Sequence, residues 1–212
     1  MSSKSAVWSI GVIAAVAVAG FALVHGFAGP GMMFGSGGYD RPVYPGWGGG
    51  VLGYDQAIAY VTKGNDIGVA DPARNTVEYS GKDIEIDLVA VEPDHADQTF
   101  EVHDLTNPAL EVPLGATVHL NLVNMDYGDT MEHGITLTSV PPPYSNMSMM
   151  TTGTGIAQVA PLLPWRSSKS VDQAQYASLG TTFVAREAGT YWYICPTPRH
   201  AAQGMYGKFI VR

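Results

Sequence analysis

The sequence predicts an all-β domain, a two-sheet sandwich with a short helix at its N-terminal side, and three observations lead there. Short β-branched and aromatic runs follow one another from residue 76 to the C-terminus. Apolar and polar residues alternate in Ile84-Glu-Ile-Asp-Leu88, the period of a strand with one wet face. Turn signals fall between the runs, at Ser80-Gly81, Pro113-Leu-Gly115 and Ala188-Gly189. With 212 residues and 46% hydrophobic composition, the chain can bury one good core, so a single folded domain is expected.

In chain order, the first element is an apolar segment, residues 1–25. Ala6 to Val24 is a run of 19 residues without a charge, preceded by Lys4. Such a run is long enough to span a bilayer core and is also compatible with an export signal. Ala17-Val-Ala19 offers a small-residue cleavage site, yet apolar residues continue through Phe21-Ala-Leu-Val24. Membrane anchor and signal peptide both export the domain, to the periplasm or the outer face of the cytoplasmic membrane. Residues 26–53, dominated by glycine, proline and aromatic side chains, cannot build a core and are expected to be a linker.

The folded domain is then expected over residues 54–212. Tyr54 to Lys63 is a candidate helix. Strands are expected at Thr76 to Tyr79, Ile84 to Val91, Thr99 to His103, Leu110 to Val112, Thr117 to Val123, Ile135 to Leu137, Thr181 to Ala185, Tyr191 to Cys195 and Lys208 to Val211. Pro141 to Gly180, with a proline triplet and few strand runs, reads as an excursion over one edge.

Charge is sparse and uneven. Residues 66–132 hold 15 of the 19 acids and only Arg74 and Lys82 among the bases, whereas residues 133–212 hold two acids and six bases. A net charge of −8 gives no reason to expect a nucleic-acid partner. Only 14% of residues are charged, and the excess is carboxylate, which loses its charge near pH 4. That composition suits a protein living in acid, although an ordinary acidic secreted protein shares it. One cysteine forbids an intramolecular disulfide, so export rests on the N-terminal segment and not on thiol count.

That cysteine opens the most informative stretch. Cys195-Pro-Thr-Pro-Arg-His200-Ala-Ala-Gln-Gly-Met205 spaces a thiol, an imidazole and a thioether five residues apart on a loop between two expected strands. Soft sulfur suits copper(I), nitrogen suits copper(II), and Cys with two His and a distant Met is a set both oxidation states accept. Pro196 and Pro198 stiffen the loop, which limits ligand movement between the two states.

A second histidine is then sought among the remaining five. His25 lies in the apolar segment, and His95 in a loop between Asp94 and Asp97. Strand parity turns His103 and His119 outward onto the surface. His133 is left, opening the strand Gly134-Ile-Thr-Leu-Thr138 after an irregular polar stretch, where a side chain can meet a loop from another part of the sheet.

Along the chain, the segments Asn75-Thr-Val-Glu-Tyr-Ser-Gly-Lys82, Phe100-Glu-Val-His-Asp104, Asn107-Pro-Ala-Leu-Glu-Val-Pro-Leu-Gly-Ala-Thr-Val118, Pro142-Pro-Tyr144, Gly153-Thr-Gly155, Ala188-Gly-Thr-Tyr-Trp-Tyr-Ile-Cys195 and His200-Ala-Ala-Gln-Gly-Met-Tyr-Gly-Lys208 stand out. Together they resemble the rusticyanin family of cupredoxins. The resemblance implies a Greek-key β-sandwich holding one type 1 copper through His133, Cys195, His200 and Met205. It further implies an electron carrier outside the cytoplasmic membrane of an acidophile that oxidises ferrous iron, working as a monomer between a cytochrome c and a terminal oxidase. Three departures stand out. Gly134 replaces a hydroxyl side chain, and the loss of a donor near the cysteine sulfur lowers the expected potential. Arg199 stands where the family carries glycine, and Leu163 to Leu179 is longer.

Other functions fit less well. Copper enzymes flank the cysteine with histidine to pass electrons to further coppers, whereas Cys195 lies between Ile194 and Pro196, and a binuclear entry site needs two cysteines. A copper-transfer protein without respiratory electron transfer is the alternative; it wants exchangeable ligands on a mobile loop, against which the two prolines argue. A cysteine nucleophile activated by His200 lacks an orienting acid.

Overall fold

The computed structural model describes residues 50–126, 131–153, 155–162 and 171–212. The apolar segment, most of the expected linker and the first part of the 163–179 insertion lie outside the described residues. Among those described, no helix is long and apolar enough to cross a membrane.

Thirteen strands and two helices are described: β1 (Gly50–Gly53), α1 (Tyr54–Asn65), β2 (Val69–Asp71), β3 (Thr76–Glu78), β4 (Asp83–Ala90), β5 (Phe100–Val102), β6 (Leu105–Thr106), β7 (Ala109–Val112), β8 (Thr117–Asn124), β9 (His133–Thr138), α2 (Ser148–Thr152), β10 (Ala157–Leu162), β11 (Gln175–Val184), β12 (Gly189–Ile194) and β13 (Tyr206–Val211). They form two sheets, ordered β1-β11-β8-β4-β5-β6 and β10-β9-β12-β13-β7-β3-β2. Parallel pairings of β4 with β8 and of β7 with β13 and β3 require crossovers between the sheets, as a Greek-key sandwich does.

Alternation builds the core between the sheets. Ile84, Ile86 and Leu88 of β4 and Val118, Leu120 and Leu122 of β8 meet Leu110, Ile135, Leu137, Tyr193 and Phe209 from the opposite sheet. Gly207 lets Tyr193 pass directly over β13, where any Cβ would collide with the phenol ring, and the Tyr193 hydroxyl donates to Pro108 O at 2.7 Å.

The outer face of β4 is not simply wet. α1 lies over it, closing a second cluster of Ala57, Val89, Val123, Met125, Ala174 and Tyr176, and Asp87 is buried beneath the helix. Gly50–Gly53, placed in the linker by composition, forms an edge strand paired with the start of β11, so the ordered sheet begins before Tyr54. The 141–180 stretch also carries more structure than its sequence suggests: α2, β10 and the first half of β11. β10 pairs with β9 at a sheet edge through a register shift between Val159 and Leu162, where Pro161 is tolerated.

Candidate metal centre

β12 carries aromatic and β-branched side chains up to Ile194, and the next residue is Cys195, so the strand delivers the thiol to one end of the sandwich. The ladder runs one step further, Cys195 N–H donating to Met205 O at 3.0 Å, and this closes the base of the ligand loop. Inside it, Met205 N–H donates to His200 O at 3.0 Å, and Gly204 takes a left-handed φ of 111° that lets the chain leave the 3-10 turn Ala201–Gln203.

Two clamps fasten the loop to its surroundings. The Thr197 hydroxyl donates to Glu132 O at 2.6 Å, tying the loop to the residue before His133, and Arg199 N–H donates to Asn146 O at 2.7 Å. Prolines alone were expected to stiffen this loop; the cross-chain bonds add a restraint that composition does not display.

The structure brings all four sequence-selected residues together. Ligand atoms of His133, Cys195 and His200 lie within 4.8 Å of one another, all three side chains buried. Cys195 Sγ is 3.5 Å from His200 Nδ1 and 3.8 Å from His133 Nδ1, and Met205 Sδ is 3.2 Å from His133 Nδ1. Donors that share one first-row ion at about 2.0–2.3 Å lie about 3–4 Å apart, so two soft sulfurs and two imidazoles of this spacing fit a single copper. His133, Cys195 and Met205 are sealed from solvent, and His200 at 6% exposure is the ligand nearest it.

Two other described histidines sit apart from this group but are not loose, and His103 stands past the end of β5 with a left-handed φ of 54°, where strand parity does not reach. His119 lies between Asp83 Oδ1 at 2.8 Å and Thr182 Oγ1 at 2.9 Å, and His103 Nε2 meets Ile67 O at 2.7 Å.

One residue escaped the sequence argument. Asp126 Oδ2 lies 2.8 Å from His133 Nε2, with both side chains buried. It belongs to a polar stretch without strand period, so only the folded chain shows that it turns inward.

Electrostatics favour a charged thiolate. Burial disfavours it, but hydrogen bonds from His133 and His200, the positive field of His133 and the Gly134 N–H outweigh that cost and bring the Cys195 thiol down to about 6. Burial likewise disfavours charge on His133, while Asp126 and Cys195 push it up to about 9. A cavity that holds an anionic sulfur beside nitrogen donors is prepared for a cation.

Tyr144, Ile194 and Ala201, with Trp192 and Tyr206 packed against them, form an apolar cluster beside the ligand loop. Tyr144 and Tyr206 meet edge to face with ring centroids 5.2 Å apart.

No protein-family model matches the chain. Comparison with individual proteins is decisive. Rusticyanin of Acidithiobacillus ferridurans is 37% identical over 141 residues, 65% of this chain and 68% of that one. Rusticyanin of Acidithiobacillus ferrooxidans is 36% identical over the same length. Among solved structures, reduced rusticyanin superposes with a TM-score of 0.68 at 32% identity, covering 77% of this chain and 99% of that one. The structure of rusticyanin from Thiobacillus ferrooxidans gives 0.68 at 31% identity. By sequence, by fold and by the donor set at one end of its sandwich, the chain belongs to the rusticyanin family, type 1 blue copper proteins of the cupredoxin superfamily that carry electrons and are not enzymes.

Proposed function

We propose that this protein is an exported, monomeric electron carrier of an acidophile's iron-oxidising respiratory chain, taking one electron from a cytochrome c-type donor and passing it towards a terminal oxidase. Cys195, as the anionic sulfur donor, His133 and His200, as nitrogen donors, and Met205, as a thioether donor, would hold the copper. The convergence of these four buried donors carries the reading. Copper held there supplies a one-electron couple. The chain's own part is to keep the donors fixed, which the clamps at Thr197 and Arg199 support, and such fixing also argues against a copper-transfer role.

Electron exchange proceeds through His200, the ligand closest to solvent, with exposed Pro198 of the ligand loop and half-buried Tyr206 at its end as a small apolar platform for brief docking. The charge-free run Ala6 to Val24 supports residence in the periplasm or at the outer face of the cytoplasmic membrane, through an anchor or a removed leader.

Copper loading of the full chain tests the ligand set. An intense thiolate-to-copper(II) band is expected, abolished in Cys195→Ser and accompanied by one copper per chain. Zinc in the native protein, or a blue Cys195→Ser variant, would overturn it. Stopped-flow mixing with a c-type cytochrome tests the partner, and electron exchange is expected to be rapid; exchange no faster than with an inert redox dye of equal potential would remove the proposed partner.

A further inference from the structure

His133 has two ring nitrogens, and they face different chemistry. Nδ1 points at Met205 Sδ and Cys195 Sγ, while Nε2 lies 2.8 Å from Asp126 Oδ2. The ring is 0% exposed and the carboxylate side chain 6%, so no water separates or screens them. The carboxylate is held in place by the turn that carries it: Asp126 N–H donates to Asn124 Oδ1 at 3.1 Å, and the Asn124 amide donates to Met131 O at 3.1 Å.

An acceptor at Nε2 keeps the proton on that nitrogen and leaves the Nδ1 lone pair for a metal. A backbone carbonyl would do as much. A carboxylate does more, because it fixes a full negative charge inside a low-dielectric pocket. With the Cys195 thiolate and the Asp126 carboxylate, copper(II) brings the local sum to zero and copper(I) leaves it at −1. With a neutral acceptor the two sums would be +1 and zero. Burying net charge is the costly condition, so the carboxylate favours the oxidised state.

We propose that Asp126 is a positioning residue that fixes the His133 tautomer and sets the copper reduction potential downward by its charge. The proposal rests on the copper reading above. Gly134 acts in the same direction. A Cβ there would lie 2.8 Å from Val159 O and 2.9 Å from Pro161 N, so β10 excludes any hydroxyl side chain at this position. The Gly134 backbone N–H is left to donate to the Cys195 sulfur, with no hydroxyl beside it to withdraw further density from the thiolate.

The test uses the copper-loaded full chain and Asp126→Asn, which keeps an acceptor oxygen and removes the charge. The parent's thiolate-to-copper band checks the copper reading separately; without it that reading fails, whatever Asp126 does. With the band present, the variant is expected to keep its position while the potential rises, favouring copper(I) about tenfold at a fixed poise, or about 59 mV for a one-electron couple. In the diamagnetic copper(I) form the His133 Nε2–H resonance should move upfield as its bond to a charged acceptor weakens. A potential unchanged from the parent would overturn the proposal. If Asp126→Asn fails to load copper, Asp126→Ser, smaller and neutral, is measured in the same way. A raised potential in it supports the proposal; failure of both variants to bind copper in a folded chain would overturn potential-setting in favour of a purely structural carboxylate.

Discussion

A single residue beside the centre shows how local chemistry and backbone geometry can pull apart. Arg199 precedes His200 with φ at 76°, a left-handed conformation that costs an L-residue about 1–2 kcal/mol. Its N–H and C=O are both used, toward Asn146 O and from Gln203 N–H, so the conformation is imposed by the loop. Glycine would adopt it without strain but would lose about 0.5–1 kcal/mol of backbone entropy on folding. Arg199→Gly is therefore expected to stabilise the copper-loaded protein by up to about 1 kcal/mol in urea denaturation; a loss of stability would mean that the exposed guanidinium makes contacts worth more than the strain. The residues of the ligand loop were legible because their chemistry is rare and their spacing local. His133 was reached only through strand parity, which eliminated His103 and His119 but says nothing of what a strand end meets. Asp126 was illegible for a different reason: a carboxylate in an aperiodic polar run reads as solvated, and its inward turn depends on the Asn124 side chain accepting its N–H.

Among the elements, those with a strict period were the easy ones. β4 and β8 alternate over their first six residues each, Asp83 to Leu88 and Thr117 to Leu122, and pair in register from Asp83 opposite Thr117 to Ala90 opposite Asn124. The strands that sequence did not reveal lie at edges, where a side chain is buried on one flank at most and glycine or proline is tolerated: Gly50 and Gly53 in β1, Pro161 in β10. Helix α1 was visible from its composition, but not its consequence, which is that it dries the outer face of β4. The contact is close. A Cβ at Gly64 would stand 2.7 Å from Asp87 Cβ, an atom fixed to the strand backbone and unable to swing away. Gly64→Ala should therefore lift the C-terminal turn of α1 off the sheet and cost about 1–3 kcal/mol, the range for overpacking, although alanine is the better helix former. Denaturation measurements check it. A variant as stable as the parent would show that α1 can slide over β4 freely. The copper band should be retained, since no copper ligand lies on α1 or β4.

The response to acid belongs to the whole molecule, and its sign can be worked out from the carboxylates that folding buries. Asp87 has its pKa raised, first by burial under α1 and against the opposing hydrogen bonds of Asn121 and Tyr60. Glu101 is raised by burial as well, against the Thr99 hydroxyl and the Glu92 N–H. A folded-state pKa above the unfolded value means that the native state holds the proton more tightly. Each group thus adds stability that is complete below its ordinary value, 3.8 for Asp and 4.5 for Glu, and is lost as pH rises through the raised folded value. Acidification, which unfolds proteins whose carboxylates are paired, here relieves two buried charges. Asp71 runs the other way, held low by hydrogen bonds from Arg74, but that pair is exposed and counts for little. The centre itself is a separate matter, because copper must compete with protons for two imidazoles. Asp87→Asn and Glu101→Gln isolate the protein's share. Each is expected to be more stable than the parent at pH 7 by roughly 1 kcal/mol, with the advantage fading as pH falls to about 3, where the parent carboxyls are neutral too. Urea midpoints of copper-free parent and variants across that range decide the point. An advantage that persists undiminished at pH 3 would show that the substitutions act through packing and not through the relief of buried charge.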